Sequence, residues 1–352
     1  MTNGRKRITN LLWSLGPLLG LVVVVLVFGL IEYKVAGDEN RPARFFTLES
    51  AQAVLSYTSL VGVAALGMTL IIIAGGIDLS AGTAIALTAT VTAWFYREGF
   101  AYTETWRADS PLLGTVTLSL VAILGGMVTG CLCGFINGGL ISLLRLVPFI
   151  VTLGTMTAFQ GIGRTIAGDT PVRAFGKVPD AVLSLQQPYP DPEWLVVSPG
   201  VWIMLILGCL VALMLRYTVF GRHVYAIGSN EATARLCGIN VVRTRIWVYT
   251  LAGLFVGVAG LYQFTVLAGE GDPASGLGLE LKVIAAVVIG GGSLNGGRGS
   301  ILGTISGACI MGVIQHGSVL IGVADRYQDI LIGMIIIAAV TLDQFRVRLQ
   351  SS

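Results

Sequence analysis

Residues 18–31 read LLGLVVVVLVFGLI, a run without one polar side chain. A helix that crosses a hydrocarbon core of about 30 Å needs roughly 20 mainly apolar residues, and the residues flanking this run supply the rest. The run is long for a secretory leader and no clear small-x-small cleavage site follows, so it predicts a retained span. The same pattern recurs along the chain. Stretches 11–31, 50–74, 79–96, 114–143, 147–167, 200–216, 244–267, 280–291, 300–321 and 328–342 predict ten spans. Composition agrees. Of 352 residues 54% are hydrophobic and 12% charged, against roughly 25% charged in soluble domains. Mean hydropathy is +0.82. These values exclude a soluble enzyme and a disordered chain. A net charge of +3 without a dense basic tract argues against nucleic-acid binding. The expected fold is an all-α, polytopic integral membrane protein of about ten transmembrane helices with broken or re-entrant segments.

Two stretches are irregular. Residues 114–143 exceed one span and contain Gly125-Gly126 and Gly138-Gly139, which predicts a kinked, tilted or broken helix. Residues 280–291 are too short for a span and run into glycines, which predicts a half-helix. Ten spans place both termini on one side. Arg5-Lys6-Arg7 before the first span and the basic residues from Arg216 to Arg245 put that side in the cytoplasm. Residues 1–352 then form a single transmembrane domain, with a cytoplasmic loop at 218–243 and an extracytoplasmic loop at 168–199. The latter holds Pro171, Pro179, Pro188, Pro190, Pro192 and Pro199 and is either a stiff connector read by a partner or an ordinary surface loop. Tyr102, Trp106, Tyr189 and Trp194 suit an interfacial belt.

In the cytoplasmic loop, Ser229 or Asn230 can cap a helix of about two turns. Glu231 falls in its first turn, Arg235 four residues on, and Gly238 at its stop. Such a helix can dock a cytoplasmic partner or merely link two spans. Residues 290–300, GGGSLNGGRGS, contain no lysine, and no G-x-x-x-x-G-K-[ST] occurs in the chain, so no phosphate loop is expected. This run is either a simple turn or, with Asn295, part of a path or inner gate, because non-helical backbone at membrane depth is tolerated when it lines a cavity. Asp78 or Ser80 caps the following helix, or Asp78 lines a path near the inner gate. Asn137, Gln160, Gln263, Gln315 and His316 are the other polar groups read inside spans, each either an interhelical bond or a substrate contact. Gly253-x3-Gly257 and Gly299-x3-Gly303-x3-Gly307 mark faces for close packing, within the chain or between copies. The five cysteines and two histidines make no spacing for a disulfide framework or a metal site.

The stretch GRHVYAIGSNEATARLCGIN…YTLAGLFVGVAGL resembles the permease subunits of ribose/xylose/galactose-type ABC importers, within the branched-chain amino acid/sugar permease superfamily. AGGIDLSAGTAIAL at 74–87, VPFIVTLGTMTAFQGIGRTIAGDTPV at 147–172, ELKVIAAVVIGGGSLNGGRGSILGTISGA at 280–308 and YQDILIGMIIIAAVTLD at 327–343 extend the resemblance over nearly the whole chain. It implies a non-enzymatic subunit in a bacterial inner membrane that forms a translocation path for a monosaccharide. The implied partners are a second permease, identical or paralogous, a cytoplasmic ATPase and an extracytoplasmic sugar-binding protein. No cofactor is expected on this chain, ATP and Mg residing on the ATPase. By the resemblance, Asn230, Glu231, Ala232, Ala234, Arg235, Leu236 and Gly238 form the coupling helix that docks the ATPase. The cargo could instead be a sugar-like signal, a polyol, a nucleoside or a branched-chain amino acid. A secondary carrier is the rival mechanism, and it would need titratable relays that the spans as read do not offer.

Overall fold

The computed structural model describes residues 3–103, 110–168, 170–190 and 193–351; Trp106 and Pro192 lie outside them. The long helices are α1 (Asn3–Asp38), α2 (Leu48–Ile73), α3 (Ala81–Tyr102), α4 (Pro111–Leu143) and α5 (Pro148–Ala167). A short strand β1 (Val172–Arg173) and a single turn α6 (Asp180–Leu183) precede α7 (Pro199–Tyr217). Then come α8 (Val219–Ser229), α9 (Glu231–Leu236), α10 (Val241–Val266), β2 (Glu270–Gly271), α11 (Leu279–Ile289), α12 (Ile301–Leu320) and α13 (Asp325–Ser351). Boundaries follow local chemistry. The Thr47 hydroxyl accepts from the Ser50 amide to start α2, and prolines open α4, α5 and α7, where the missing N–H costs nothing.

Each of the ten stretches read as spans is helical. Among the described residues, six helices are long and apolar enough to cross a membrane: α2, α4, α7, α10, α12 and residues 16–38 of α1. The other four are α3, α5, α11 and α13. In α3, Thr88, Thr90 and Thr92 are buried and turn their hydroxyls onto the carbonyls of Ile85, Ala86 and Thr88. These three hydroxyls are therefore satisfied within the helix. The half-helix expected at 280–291 is α11, 11 residues long.

Of the kinked, tilted and broken alternatives for 114–143, the broken one does not hold. Residues 111–143 form one continuous helix of 33 residues, about 50 Å long at 1.5 Å per residue. Its glycines are contact points. A methyl group at Gly130 would overlap backbone atoms of Gly253 and Gly257, and one at Gly134 would overlap the Tyr249 carbonyl. The reverse also holds, because Gly253 and Gly257 have no room for a methyl against Gly130 and Met127. The Gly253-x3-Gly257 face thus packs α10 on α4 within the chain. The Gly303 and Gly307 faces likewise pack α12 on Gly290 and Ala286. Helix α2 runs through the middle, buried from Thr58 to Ile73, with α10, α12, α11 and α7 around it. Leu120, Leu124, Val128 and Leu132 on the outer face of α4 are exposed and suit hydrocarbon.

Two polar devices tie the connectors down. The Glu32 carboxylate of α1, fully buried, accepts from Arg41 Nη1 at 2.7 Å and from the Arg44 and Phe45 amides. The same arginine donates to the Leu320 carbonyl at the end of α12. Residues 168–199 fold onto the bundle through the antiparallel β1–β2 pair, Val172 opposite Gly271. Gln186 of that segment accepts from the Ser56 and Ser59 hydroxyls of α2.

Gly134→Ala is expected to destabilise the protein by about 1–3 kcal/mol through overpacking. Gly139→Ala, with nothing within 4 Å, should be neutral or gain up to about 1 kcal/mol in helix propensity. Thermal unfolding of the two purified variants in the same detergent separates these outcomes.

Candidate functional site

At one end of the bundle, α8 and α9 form a compact bracket between α7 and α10. The capped helix expected after Asn230 is α9, whose Asn230 side chain accepts from the Thr233 amide at 2.9 Å. Gly238, with φ +82°, donates to the Arg235 carbonyl and ends it. Helix α8 was not expected from the sequence. The Thr218 hydroxyl caps it at the Gly221 amide, a signal readable in Thr218-x2-Gly221.

The residues expected at the coupling helix divide by direction. Ala234 is buried against Ile227 and Val241. Glu231 turns inward and pairs twice, Oε1 with Arg235 at 2.7 Å and Oε2 with Arg245 of α10 at 2.6 Å. Partial burial pushes the Glu231 carboxyl up, but the hydrogen bonds from Arg235 and Arg245, reinforced by their charges, hold it below its ordinary value. Asn230 and Gly238 serve the ends of the helix. Ala232, Arg235 and Leu236 face outward, together with Thr233 and Cys237. Leu236 is 89% exposed, an apolar knob on a helix otherwise held by buried and paired groups.

The bracket is built into the bundle end. Gly228 lies against the Ile73 carbonyl at the end of α2, and Tyr225 Oη donates to the Gly299 carbonyl at 2.9 Å. The Gly297 amide donates to the Ile73 carbonyl at 2.8 Å. The 290–300 turn therefore packs beside α8, with Gly296 and Gly297 at positive φ where it touches Gly228 and Ser229. Asn295 is exposed on that turn.

The expected path residues fall into separate places. Asp78 and Asn137 meet. Asp78 Oδ1 accepts from the Ser80 amide and hydroxyl at 2.8 and 2.6 Å, a turn just ahead of α3. Asn137 Nδ2 donates to Ser80 Oγ at 2.8 Å and to Asp78 Oδ2 at 3.4 Å, and Thr155 Oγ1 of α5 donates to Asn137 Oδ1 at 2.7 Å. All four side chains are buried, so the cluster bolts the α2–α3 connector to α4 and α5. Gln160 lies half-buried on α5, away from this cluster. His316 Nε2 is 2.9 Å from Ser50 Oγ and joins α12 to α2.

Gln263 and Gln315 lie toward the opposite end. Gln263 lines a cavity of about 510 Å³ with Ser56, Tyr57, Gln186, Thr265 and Leu279. Gln315 Oε1 accepts from Tyr57 Oη and from Lys282 Nζ, both at 3.2 Å. Lys282 and the buried Glu280 are ionisable residues within a stretch read as a span, and the sequence reading passed over them. The signal was visible as Glu280-Leu281-Lys282 inside an apolar run.

Residues 50–340 match the family model described as branched-chain amino acid transport system / permease component. The chain is 37% identical to the ribose import permease of Escherichia coli strain K12 over 299 residues, 85% of this chain and 87% of the relative. It is 35% identical to the fructose import permease of Rhizobium meliloti, covering 94% of this chain and 84% of the relative. It is 32% identical to the L-arabinose ABC transporter permease of Azospirillum brasilense, covering 95% and 89%. No solved structure matches the chain.

Asn137→Ala leaves buried partners unsatisfied and is expected to cost about 1–3 kcal/mol, read as a lowered melting temperature, while Gln160→Ala should leave it unchanged. A depressed Glu231 pKa means that the clasp on α9 is complete above the ordinary carboxylate value of 4.5 and is lost as pH falls through the lowered value. Amide exchange in α9, corrected for intrinsic rates, should therefore be slow above that range and rise below it. In Glu231→Gln it should be fast throughout.

Proposed function

Because the chain belongs to the branched-chain amino acid transport system / permease component family, we propose that it is the subunit of an ATP-binding-cassette importer that forms the path for a monosaccharide. The family role is that of a permease in a bacterial membrane, not of an enzyme. The cargo reading draws on relatives named for ribose, fructose and L-arabinose import. A sugar-like signal, polyol, nucleoside or branched-chain amino acid would use the same mechanism. In this reading residues 1–352 form one transmembrane domain with both termini in the cytoplasm. The 218–243 segment then faces the cytoplasm, and 168–199 faces the binding protein. A second permease copy or paralogue completes the path. Nucleotide and Mg belong to the ATPase.

The observation that carries the proposal is the direction of α9. A helix of 6 residues is not stable alone in water, yet here it is capped at both ends, ion-paired to α10 and packed on α8. What it presents outward is Leu236, flanked by Ala232, Thr233 and Arg235. A rigid apolar knob with one basic neighbour suits a groove in a partner. In this reading Glu231 and Ala234 hold the helix in place, and force on Leu236 reaches Arg245, and so α10, through Glu231. A secondary carrier has no use for such a knob.

The expected outcome is that Leu236→Asp, which disturbs no buried contact, leaves the protein folded and monodisperse but lowers co-purification of an ATPase at least tenfold. Glu231→Gln should retain the ATPase and lower transport per ATP. Sugar uptake by vesicles of the permease alone, without ATP, would overturn the importer reading.

A further inference from the structure

Lys282 stands in α11 among leucine, valine, isoleucine and alanine. Its Nζ donates to Tyr57 Oη at 3.3 Å and to Gln315 Oε1 at 3.2 Å, and Tyr57 Oη donates to the same Gln315 oxygen. The ammonium also lies 6.0 Å from the centre of the Tyr57 ring. Among the described residues no carboxylate comes within ion-pair distance of it. A cation at membrane depth held only by neutral oxygens is costly unless it faces a water-filled space, and such residues mark substrate pathways.

The space is present on both sides of the triad. Lys282 and Gln315 line a cavity of about 430 Å³, with Gln328 and Asp329 of α13, a size in the range of small-molecule sites. Tyr57 lines the cavity of about 510 Å³ that also touches Gln263 and residues 183–188. The two cavities meet at the first turn of α11. Leu279 faces one, and Gly278, Leu281 and Lys282 face the other. The triad of Tyr57, Gln315 and Lys282 is the polar part of the wall between them.

The lining has a definite chemistry. Lys282 only donates, the Asp329 carboxylate offers acceptors, and the two amides do both. A vicinal diol requires that combination, since each hydroxyl donates once and accepts. The triad bonds are neutral or singly charged contacts of 3.2–3.3 Å, so sugar hydroxyls can replace them one for one without leaving a buried group unsatisfied.

We propose that Lys282, Gln315 and Asp329 form a subsite for the hydroxyls of a monosaccharide in transit, and that Tyr57 closes it from the neighbouring cavity. This rests on the sugar-import reading above. The cargo exchanges its hydroxyls for the Tyr57 and Gln315 contacts of Lys282, which opens the wall as it passes.

The test uses the full complex of permease, ATPase and binding protein in proteoliposomes, with labelled ribose, fructose, L-arabinose and leucine as separate cargoes. Sugar moved per ATP hydrolysed is the readout, because a merely structural defect lowers both together. Lys282→Met is expected to lower that ratio at least tenfold with the ATPase still bound, and Lys282→Arg to restore part of it. An unchanged ratio overturns the proposal. If Lys282→Met fails to assemble, Asp329→Asn at the exposed rim decides: a threefold fall supports the subsite and no change overturns it. Wild-type complex that moves none of the sugars sinks the import reading itself. Movement of leucine alone, reduced by Lys282→Met, overturns the diol chemistry.

Discussion

The backbones of α4 and α10 touch. Gly130 and Gly134 on one helix meet Gly253, Gly257 and the Tyr249 carbonyl on the other with no room for a methyl group on either side. In a bilayer the apolar effect does not drive helices together, because lipid is as apolar as leucine; close backbone packing does. That contact fixes α10, and α10 carries groups at both ends of the molecule. Arg245 near its start clasps Glu231 of α9, and Gln263 near its end lines the larger cavity. A helix with those attachments is a physical connection between a surface bracket at one end and a cavity at the other.

The polar groups sort by whether water can reach them. Asp78, Ser80, Asn137 and Thr155 are buried and satisfy one another, which is the arrangement that stabilises a connector inside a membrane domain. Lys282, Gln315 and Tyr57 also bond to one another, but each borders a cavity. Both clusters look alike in a list of polar residues within apolar runs. They differ in their neighbours. The first joins three elements with no space between them, and the second divides two spaces.

Much of the fold was legible because its signals are local. Apolar length marked the helices, Asn230 and Gly238 marked the ends of α9, and the short run at 280–291 marked α11. The glycine pairs in 114–143 left a kink, a tilt and a break open because their effect depends on partner helices: Gly126 packs on Thr92 of α3 and Gly138 on Ile246 of α10, neither of which the local sequence shows. Site residues were less legible for the same reason. Nothing in the loop's own sequence shows that Glu231 pairs with Arg245, on the next helix, at 2.6 Å. Lys282 was passed over because a single lysine does not disturb the hydropathy of its segment; its meaning comes from Tyr57 and Gln315, which are distant in sequence.

These placements constrain how the molecule can move. Helices packed glycine to glycine cannot slide past one another without separating their backbones, so α4 and α10 travel as a unit in any rearrangement that keeps the chain folded. The Asp78 cluster adds α3 and α5 to that unit, by a bond from α4 to the α2–α3 connector and one from α5 to α4. A second tight group is α11 with α12, joined at Gly290, Gly303 and Gly307. Both groups rest on α2, and among the described residues the polar contacts that link α2 to the second group include Ser50 to His316, Thr69 to Thr304, and Tyr57 to Gln315 and Lys282. The Tyr57 contacts lie beside the cavities. A force applied to α9 enters the first group through Glu231 and Arg245, and the seam between the groups, where hydrogen bonds replace interlocked backbone, is the place where it can do least-costly work.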